Sequence, residues 1–486
     1  MTSLLKIEKR KTINEKKGHA PAPGEGSHLR FSLFALRFPT SRRGFATFMA
    51  IWAVALVTLV LVTLQATAFR EAAAGREAVA RVRAYWAARA GVESQIAILT
   101  ANTITPDPSS AFTVTTEMAA AARADVGASA SYAIRHTEPG GYEEVDGPED
   151  AHAKLNVNTL DTADLMMLEG MDETVAQSIH NWIHGVDDTA LVTGADEGTY
   201  SGLRYPYRPR EAPVRSLKEL ELIKDVDPRL VRGDDWNLNS RLDPNEDDGD
   251  ASFPPDDANA RLDAGWSQYL TAVSDGETWG ASGQKRLDLT TATAEEIASR
   301  LQVDATQAAA ISAYATGDVG TLASFVSTDL ADLAAQASGG TTGGTLLNGQ
   351  TSPIANLSDE QLATLLNEAT LGEAARNGPR TGKVNINTVT RETLERLARV
   401  DAATADALIT ERDARAGGFV SLTELLAVPS VDRATLADLM TTFDVRSNVY
   451  VVTSRGRDKA TGLEVEIVAV VDRSSIPVVI KDLFVR

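Results

Sequence analysis

The feature that most constrains the fold is an uncharged, strongly apolar stretch near the N-terminus, from Gly44 to Phe69. At 1.5 Å per residue, a helix of this length exceeds the roughly 30 Å thickness of a bilayer's hydrocarbon core. Buried core helices of soluble proteins rarely continue so far without a charged residue. The stretch therefore predicts a single transmembrane helix followed by a much longer soluble part.

Charge is distributed unequally on the two sides of this stretch. The chain has a net charge of −20, yet Lys and Arg outnumber Asp and Glu by seven within residues 1–44. Because basic flanks stay on the cytoplasmic side, we expect one pass through the inner membrane with the acidic bulk in the periplasm. An acidic surface repels phosphates, which argues against a general nucleic-acid partner. The chain has no cysteine, which excludes disulfides and thiolate metal sites.

Three membrane-targeting interpretations fit the residues around the start of the apolar stretch. An uncleaved anchor is the simplest. A twin-arginine signal is the second, because Arg42 and Arg43 are paired and an Ala-Thr-Ala cleavage site follows at residues 66–68. The third, which we favour, is a prepilin-like leader. A prepilin peptidase would then cut after Gly44, and Phe45 would become the methylated N-terminus of a retained helix.

The helical pattern continues beyond the apolar stretch, since no proline occurs before Pro106. Residues 85–93 read YWAARAGVE, and residues 42–61 read RRGFATFMAIWAVALVTLVL. Together these segments resemble the N-terminus of a type II secretion minor pseudopilin, the general secretion pathway protein K family. The resemblance implies a non-enzymatic pseudopilus subunit that promotes assembly and the export of folded proteins across the outer membrane. It also implies a hetero-oligomer with other minor pseudopilins as partners.

Met49 would be the fifth residue of the processed helix, where most pilin-like subunits have Glu and the protein K family does not. A carboxylate within the membrane costs about 2.5–3.5 kcal/mol unless a partner is supplied. That partner is commonly the N-terminus of the neighbouring subunit. A subunit without the carboxylate needs no neighbour ahead of it, so we expect this chain at the pseudopilus tip.

Three segments with the same spacing form an internal repeat that begins at Lys154, Arg286 and Lys383. In each segment a helix-capping residue precedes an amphipathic helix, and a short hairpin leads to a second helix. The pattern indicates helix-hairpin-helix units.

Units of this type are best known from DNA binding, and the third repeat resembles the DNA receptor of bacterial competence. Their Gly-hydrophobic-Gly hairpin exposes backbone N–H groups that hold a phosphate. Here the second glycine is replaced by Asp172, Asp304 and Asp401. We predict that these residues cap the second helices, because a carboxylate competes with phosphate for the same N–H groups. A membrane-anchored DNA receptor and a minor type IV pilin stay as alternative functions.

The segment that follows the first repeat contains paired acids and an aromatic Pro-Tyr run, and it resembles a part of the protein K family that binds calcium. Hard cations need several oxygen ligands from one loop. The resemblance implies a calcium cofactor, and the candidate ligands are Asp187, Asp188, Asp196 and Glu197. A solvated acidic loop is the alternative.

Other chemistry is weakly indicated. His180 and His184 would share a helix face, but Asn181 stands where a zinc protease has its general base. The acidic run from Asp243 to Gly249 lacks the glycine and Glu positions of a calcium loop, so we predict a flexible linker there. No nucleophile elbow or phosphate-binding loop occurs in the sequence, and we predict that the chain is not an enzyme.

The predicted fold class is α+β, with a long N-terminal transmembrane and pilin-like helix, a small antiparallel sheet and a large inserted α-helical domain with helix-hairpin-helix-like repeats. Runs rich in β-branched residues predict strands on both sides of the insert, including AFTVTT at residues 111–116. The predicted boundaries are a leader (1–44), a transmembrane and spine helix (45–100), a first β part (101–150), a first repeat (151–235), an acidic linker region (236–283), a second repeat (284–335), a Gly/Thr-rich linker (336–380), a third repeat (381–443) and a C-terminal β region (444–486).

Overall fold

A computed structural model describes residues 42–138, 144–186, 191–276, 278–317, 320–337, 354–371, 382–397 and 400–486. The chain divides into two compact units, Met1–Glu71 and Ala72–Arg486. The predicted leader lies almost entirely outside the described residues.

The first helix, α1, extends from Arg42 to Ile104. Its N-terminal part is apolar and long enough to cross a membrane, and the side chains from residue 44 to residue 79 are exposed. Threonine hydroxyls in this part donate to carbonyl oxygens one turn back, as Thr58 does to Val54 at 2.7 Å. Such bonds remove the cost of placing an unpaired hydroxyl in hydrocarbon. The predicted transmembrane segment is therefore part of one continuous helix.

An antiparallel sheet has the strand order β1-β2-β11-β12-β13, with β3 paired to β2 and β4 paired to β11. Its strands are β1 (Arg123–Val126), β2 (Ala130–Thr137), β3 (Glu144–Asp146), β4 (Glu149–Asp150), β11 (Val449–Asp458), β12 (Glu464–Asp472) and β13 (Val479–Val485). Asp150 is paired with Tyr450, so the chain leaves the sheet and returns to it at neighbouring positions. The predicted small antiparallel sheet on both sides of a helical insert is confirmed.

One face of this sheet packs on the second half of α1. Ala88, Val92 and Leu99 of the helix share a hydrophobic cluster with alternate residues of β11 and β12, among them Val452 and Ile467. Small residues allow the close approach that this packing requires. A Cβ atom at Gly456 of β11 would overlap the backbone of Ala84 and Ala88. The glycine thus fixes the distance between helix and sheet.

The AFTVTT segment was predicted as a strand, and this prediction is wrong. Residues Thr113–Ala120 form helix α2. Its Met118 is fully buried in the cluster between α1 and the sheet, and the carbonyl of Met118 accepts a hydrogen bond from Gln95 of α1 at 3.2 Å. Burial of a side chain at helical spacing outweighs the β propensity of a short threonine-rich segment.

The described residues of the insert between β4 and β11 form three two-stranded parallel pairs, one for each repeat. Each repeat begins with a two-residue strand, and a later segment returns to pair with it. The pairs are β5 (Leu155–Asn156) with β6 (Leu270–Thr271), β7 (Leu287–Asp288) with β8 (Ala369–Thr370), and β9 (Val384–Asn385) with β10 (Phe443–Asp444). The start of each repeat is therefore hydrogen-bonded to a segment near its end.

Helices fill the space between these pairs, and their apolar sides form one hydrophobic cluster that extends through all three repeats. The helices are α3 (Thr162–Leu165), α4 (Glu173–His184), α5 (Glu197–Ser201), α6 (Pro228–Arg232), α7 (Ala294–Leu301), α8 (Ala305–Ala315), α9 (Ser324–Ser327), α10 (Leu330–Ala337), α11 (Asp359–Glu368), α12 (Arg391–Leu394), α13 (Ala402–Asp413) and α14 (Arg433–Leu439). Short 3-10 turns lie at Ala151–Ala153, Leu217–Leu222, Gly265–Gln268 and Leu422–Ala427.

The acidic region was predicted as a flexible linker, but it is folded. Asn239, Glu246 and Trp266 are buried, and β6 within this region closes the first repeat. Asn239 donates to Asp243 at 3.0 Å and to Glu466 of the sheet at 3.1 Å. The acids of this region therefore act as local hydrogen-bond acceptors. Part of the predicted Gly/Thr-rich linker is also ordered, since α11 lies within it.

Candidate functional site: the outer face of the spine helix and the repeat hairpins

The second half of α1 has two faces with different partners. Ala84, Ala88 and Gly91 lie against the sheet, with Ala84 and Ala88 fully buried. About half a turn away around the helix, Val82 and Trp86 are 56% and 61% exposed. Residues three or four apart share a helix face, so these two form one apolar stripe together with Val79. The stripe faces away from the sheet.

The YWAARAGVE segment contributes to both faces. Its alanines and Gly91 explain the close packing on the sheet, where a Cβ atom at Gly91 would overlap Ser454 and Tyr132. Trp86 stacks edge-on against the half-buried Tyr85, with 5.4 Å between ring centroids. Arg89 and Glu93 form an ion pair of 2.5 Å one turn further on, which ends the apolar stripe.

Gly44 and Phe45, the residues of the predicted cleavage and methylation site, both lie within α1. Phe45 is 61% exposed. The carbonyl of Gly44 accepts a hydrogen bond from the hydroxyl of Thr47 at 2.9 Å. Cleavage and methylation remain predictions.

Each predicted hairpin Asp is the residue immediately before a second helix. Asp172 accepts from the backbone N–H of Val175 at 2.8 Å. Asp304 accepts from those of Thr306 and Gln307, both at 2.8 Å. Asp401 accepts from that of Thr404 at 2.7 Å. The carboxylates thus occupy the N–H groups that a DNA-binding hairpin offers to phosphate.

Two further hairpins of this kind were missed by the sequence analysis. Asp227 caps α6 and Asp432 caps α14 in the same way. Both follow Val, as do Asp304 and Asp401, and this Val-Asp pair before a helix was the available signal. All five described hairpins therefore present a carboxylate, and this geometry does not favour the DNA-receptor alternative.

A pair of buried asparagines closes the first and third repeats, and sequence analysis did not identify them. Asn158 accepts from the N–H of Val214 at 2.7 Å and donates to the carbonyls of Val214 and Ala272, both at 3.1 Å. Asn387 makes the equivalent three bonds in the third repeat, with Phe419 and Val445 as partners. The shared Asn-x-Asn-Thr motif after each initial Lys was the available signal. In the second repeat Thr290 stands at this position, and within the described residues its hydroxyl bonds to Asp288 alone.

The calcium candidates are only partly described. Asp187 and Asp188 lie outside the described residues. Asp196 caps α5 by accepting from the N–H and the hydroxyl of Thr199, which lowers the pKa of its carboxyl. Glu197 is 3.1 Å from Arg208 in an ion pair. Within the described ranges, no cluster of three or more His, Asp or Glu side chains could hold a metal ion. The described half of the candidate set does not by itself fit calcium.

His180 and His184 lie on one face of α4, with 4.8 Å between ring centroids. Partial burial, followed in importance by the neighbouring His180, lowers the pKa of His184. Two imidazoles are fewer ligands than a structural zinc site requires.

The structure combines a helix whose N-terminal part is long and apolar enough to cross a membrane with an antiparallel sheet that packs on the second half of the same helix. Residues 145–233 match the family model described as "Type II secretion system (T2SS), protein K". This match supports the resemblance to protein K noted in the sequence.

Residues 380–443 match a model described as a helix-hairpin-helix motif. Among solved structures, the chain is similar to one from the GspK-GspI-GspJ complex of the enterotoxigenic Escherichia coli type 2 secretion system. That match has 13% sequence identity and a TM-score of 0.38, and it covers 85% of this chain and 99% of the other. The comparison with curated proteins found no match.

Proposed function

We propose that this chain is a minor pseudopilin of the type II secretion system that acts at the tip of the pseudopilus. There it would promote fibre assembly and the export of folded proteins across the outer membrane. The observation that carries the proposal is the apolar stripe of Val79, Val82 and Trp86 on the side of α1 opposite the sheet. An exposed Trp on a helix face is a typical anchor of a protein interface.

The partners we propose for this stripe are the helices of other minor pseudopilins. The solved complex similar to this chain contains GspK together with GspI and GspJ. Partner helices that also continue into the membrane could cover both the stripe and the apolar segment from Phe45 to Phe69.

Two features support a place at the tip. Met49 supplies no carboxylate for a subunit ahead of it. The insert between β4 and β11 is far larger than the sheet that carries it, and such a body would obstruct neighbours along the length of a fibre. We also propose that one helix inserts the chain in the inner membrane, that the bulk lies in the periplasm, and that prepilin peptidase cleaves after Gly44.

The test is a Trp86→Ala variant of the full-length chain, co-expressed with the other minor pseudopilins and purified in a mild detergent. We expect binding to weaken by roughly tenfold to a hundredfold, as for an interface anchor worth about 2 kcal/mol. The melting temperature should hardly change, because the Trp86 side chain is 61% exposed. Tyr205→Ala is the matched control, since Tyr205 is a 75% exposed aromatic residue on the insert.

Co-elution of the Trp86→Ala variant at wild-type affinity would contradict the proposed interface. The processing step is tested separately by mass spectrometry of the mature N-terminus. Methylated Phe45 is the expected result, and a chain that begins after residue 68 would identify a signal peptide instead.

A further inference from the structure

The surface-facing side of α4 carries two histidines one turn apart. Most of this helix is buried, and in its last two turns only His180 and His184 are not, with His180 half-buried and His184 exposed. The three residues between them, Asn181, Trp182 and Ile183, are all buried. The histidine pair therefore has one side open to water, and the secretion function proposed above does not use it.

The distance between the two rings fits a shared metal ion. Their centroids are 4.8 Å apart. A Zn–N bond of about 2.05 Å places the ion roughly 3.2 Å from each centroid, because the nitrogen lies about 1.1 Å from the centre of its ring. At the tetrahedral angle of about 109°, the two centroids would be about 5.2 Å apart. The observed spacing corresponds to an N–Zn–N angle of about 100°, so a small side-chain adjustment gives the tetrahedral value.

The nitrogens that can reach such an ion are identified by burial. Within the described residues, Nδ1 of His180 is buried without a hydrogen-bond partner, whereas its Nε2 is not buried. Nε2 of His180 is therefore the nitrogen at the surface. His184 is exposed, and no described residue forms a hydrogen bond with its ring. Two histidines four residues apart on one helix face are the arrangement with which zinc proteases bind their metal.

The position of the pair at the end of α4 also favours a cation. His184 is the last residue of the helix, and Gly185 ends it with a φ of +86°. The carbonyl end of a helix carries a partial negative charge that stabilises a nearby positive ion. The net charge of −20 attracts cations to the protein as a whole. Ligand geometry and electrostatics thus favour the same kind of ion.

We propose that His180 and His184 bind one divalent transition-metal ion of the zinc and copper class. Imidazole suits these ions, whereas calcium and magnesium prefer oxygen ligands, so this site differs from the calcium candidates. Two imidazoles leave coordination positions open to water, which distinguishes the site from a closed structural zinc site. By joining two residues one turn apart, the ion would stabilise the end of α4.

The test uses the full-length chain without a polyhistidine tag, in nanodiscs of zwitterionic lipid. Binding of Zn²⁺ is measured by isothermal titration calorimetry in a non-chelating buffer that contains excess Ca²⁺, which occupies sites made of carboxylates. We expect one Zn²⁺ per chain, no displacement by Ca²⁺, and a melting temperature that rises with the Zn²⁺ concentration. Cu²⁺ should bind more tightly than Zn²⁺, and its electron paramagnetic resonance spectrum should show coupling to imidazole nitrogen.

His180→Gln and His184→Gln should each weaken Zn²⁺ binding at least tenfold and remove the rise in melting temperature. The matched control adds Thr174→His to the His184→Gln variant. Thr174 is exposed on the same helix, so two histidines are again present, but six residues apart and on different faces. Binding at wild-type strength by either single variant or by the control would overturn the proposal. Displacement of Zn²⁺ by Ca²⁺, or the lack of a saturable site in the wild type, would also overturn it.

Discussion

Replacing Asn387 by Leu tests whether the buried asparagines hold the repeats closed. Asn387 accepts from the N–H of Phe419 at 2.7 Å and donates to the carbonyls of Phe419 and Val445, both at 2.9 Å. Its side chain is 5% exposed, so water cannot replace these bonds without local opening. Leu has a similar volume but leaves one N–H and two carbonyl groups without a partner.

The cost follows from these three groups. A buried polar group that loses its partner costs about 1–3 kcal/mol, and relaxation recovers part of the total. We therefore expect a loss of about 3 kcal/mol in the free energy of opening the third repeat. Since about 1.4 kcal/mol corresponds to a factor of ten, the amide of Phe419 should exchange with solvent about a hundred times faster.

Native-state hydrogen exchange of the full-length protein, read by mass spectrometry, measures this quantity. The amide of Val214 in the first repeat serves as an internal reference, because it is held by Asn158. Thr290→Val is the matched control. Thr290 occupies the same position in the second repeat, but within the described residues its hydroxyl bonds to Asp288 alone. Loss of this hydroxyl should therefore change the exchange rate of amides in the second repeat by less than about threefold. Unchanged protection at Phe419 in the Asn387→Leu variant would refute the reasoning.

Three further predictions concern stability. Gly456→Ala places a Cβ atom against the backbone of Ala84 and Ala88, and we expect the free energy of unfolding, measured by thermal denaturation, to fall by about 2 kcal/mol or more. Gly75→Ala is the control, because a Cβ atom there meets open space, and it should be neutral or slightly stabilising. Burial, with the charge of Asp235 second, raises the pKa of Glu246 to about 8, so its contribution to stability is full below about pH 4.5 and is lost as the pH rises through 8. Glu246→Gln should flatten the dependence of the melting temperature on pH in that range, and an unchanged slope would contradict the assignment. If Asp187, Asp188, Asp196 and Glu197 bind calcium, chelation of calcium should lower the melting temperature of the wild type. The melting temperature of an Asp187→Asn/Asp188→Asn variant should not respond to chelation. No effect of chelation on the wild type would show the calcium prediction to be wrong.

The long helix and the repeats were predictable because they rest on local patterns. The apolar stretch from Gly44 to Phe69 specifies a helix by length and hydrophobicity alone. Asp172, Asp304 and Asp401 precede the second helix of each repeat, and the capping bond is made within three residues along the chain. Short-range chemistry of this kind can be read directly from sequence.

Features that depend on distant partners were not predictable. Thr113–Ala120 is helical because Met118 reaches a cluster built from α1 and the sheet. The acidic region around Glu246 is folded because Asn239 reaches Glu466, far along the chain. The second face of α1 was also hidden, since only the position of the sheet separates the buried Ala84 from the exposed Trp86. The role of each of these residues depends on neighbours that are distant along the chain, and the sequence does not show which neighbours these are.

Because Asp150 pairs with Tyr450, all residues between them form one long connection between two neighbouring strands of the sheet. Leu287 likewise pairs with Ala369, so the second repeat is a closed segment nested within this connection. A nested arrangement of this kind lets a chain gain or lose whole modules while its ladder of β-strands stays in register. Relatives that lack the second repeat could keep the same α1 helix and the same sheet, and differ only in the size of the insert.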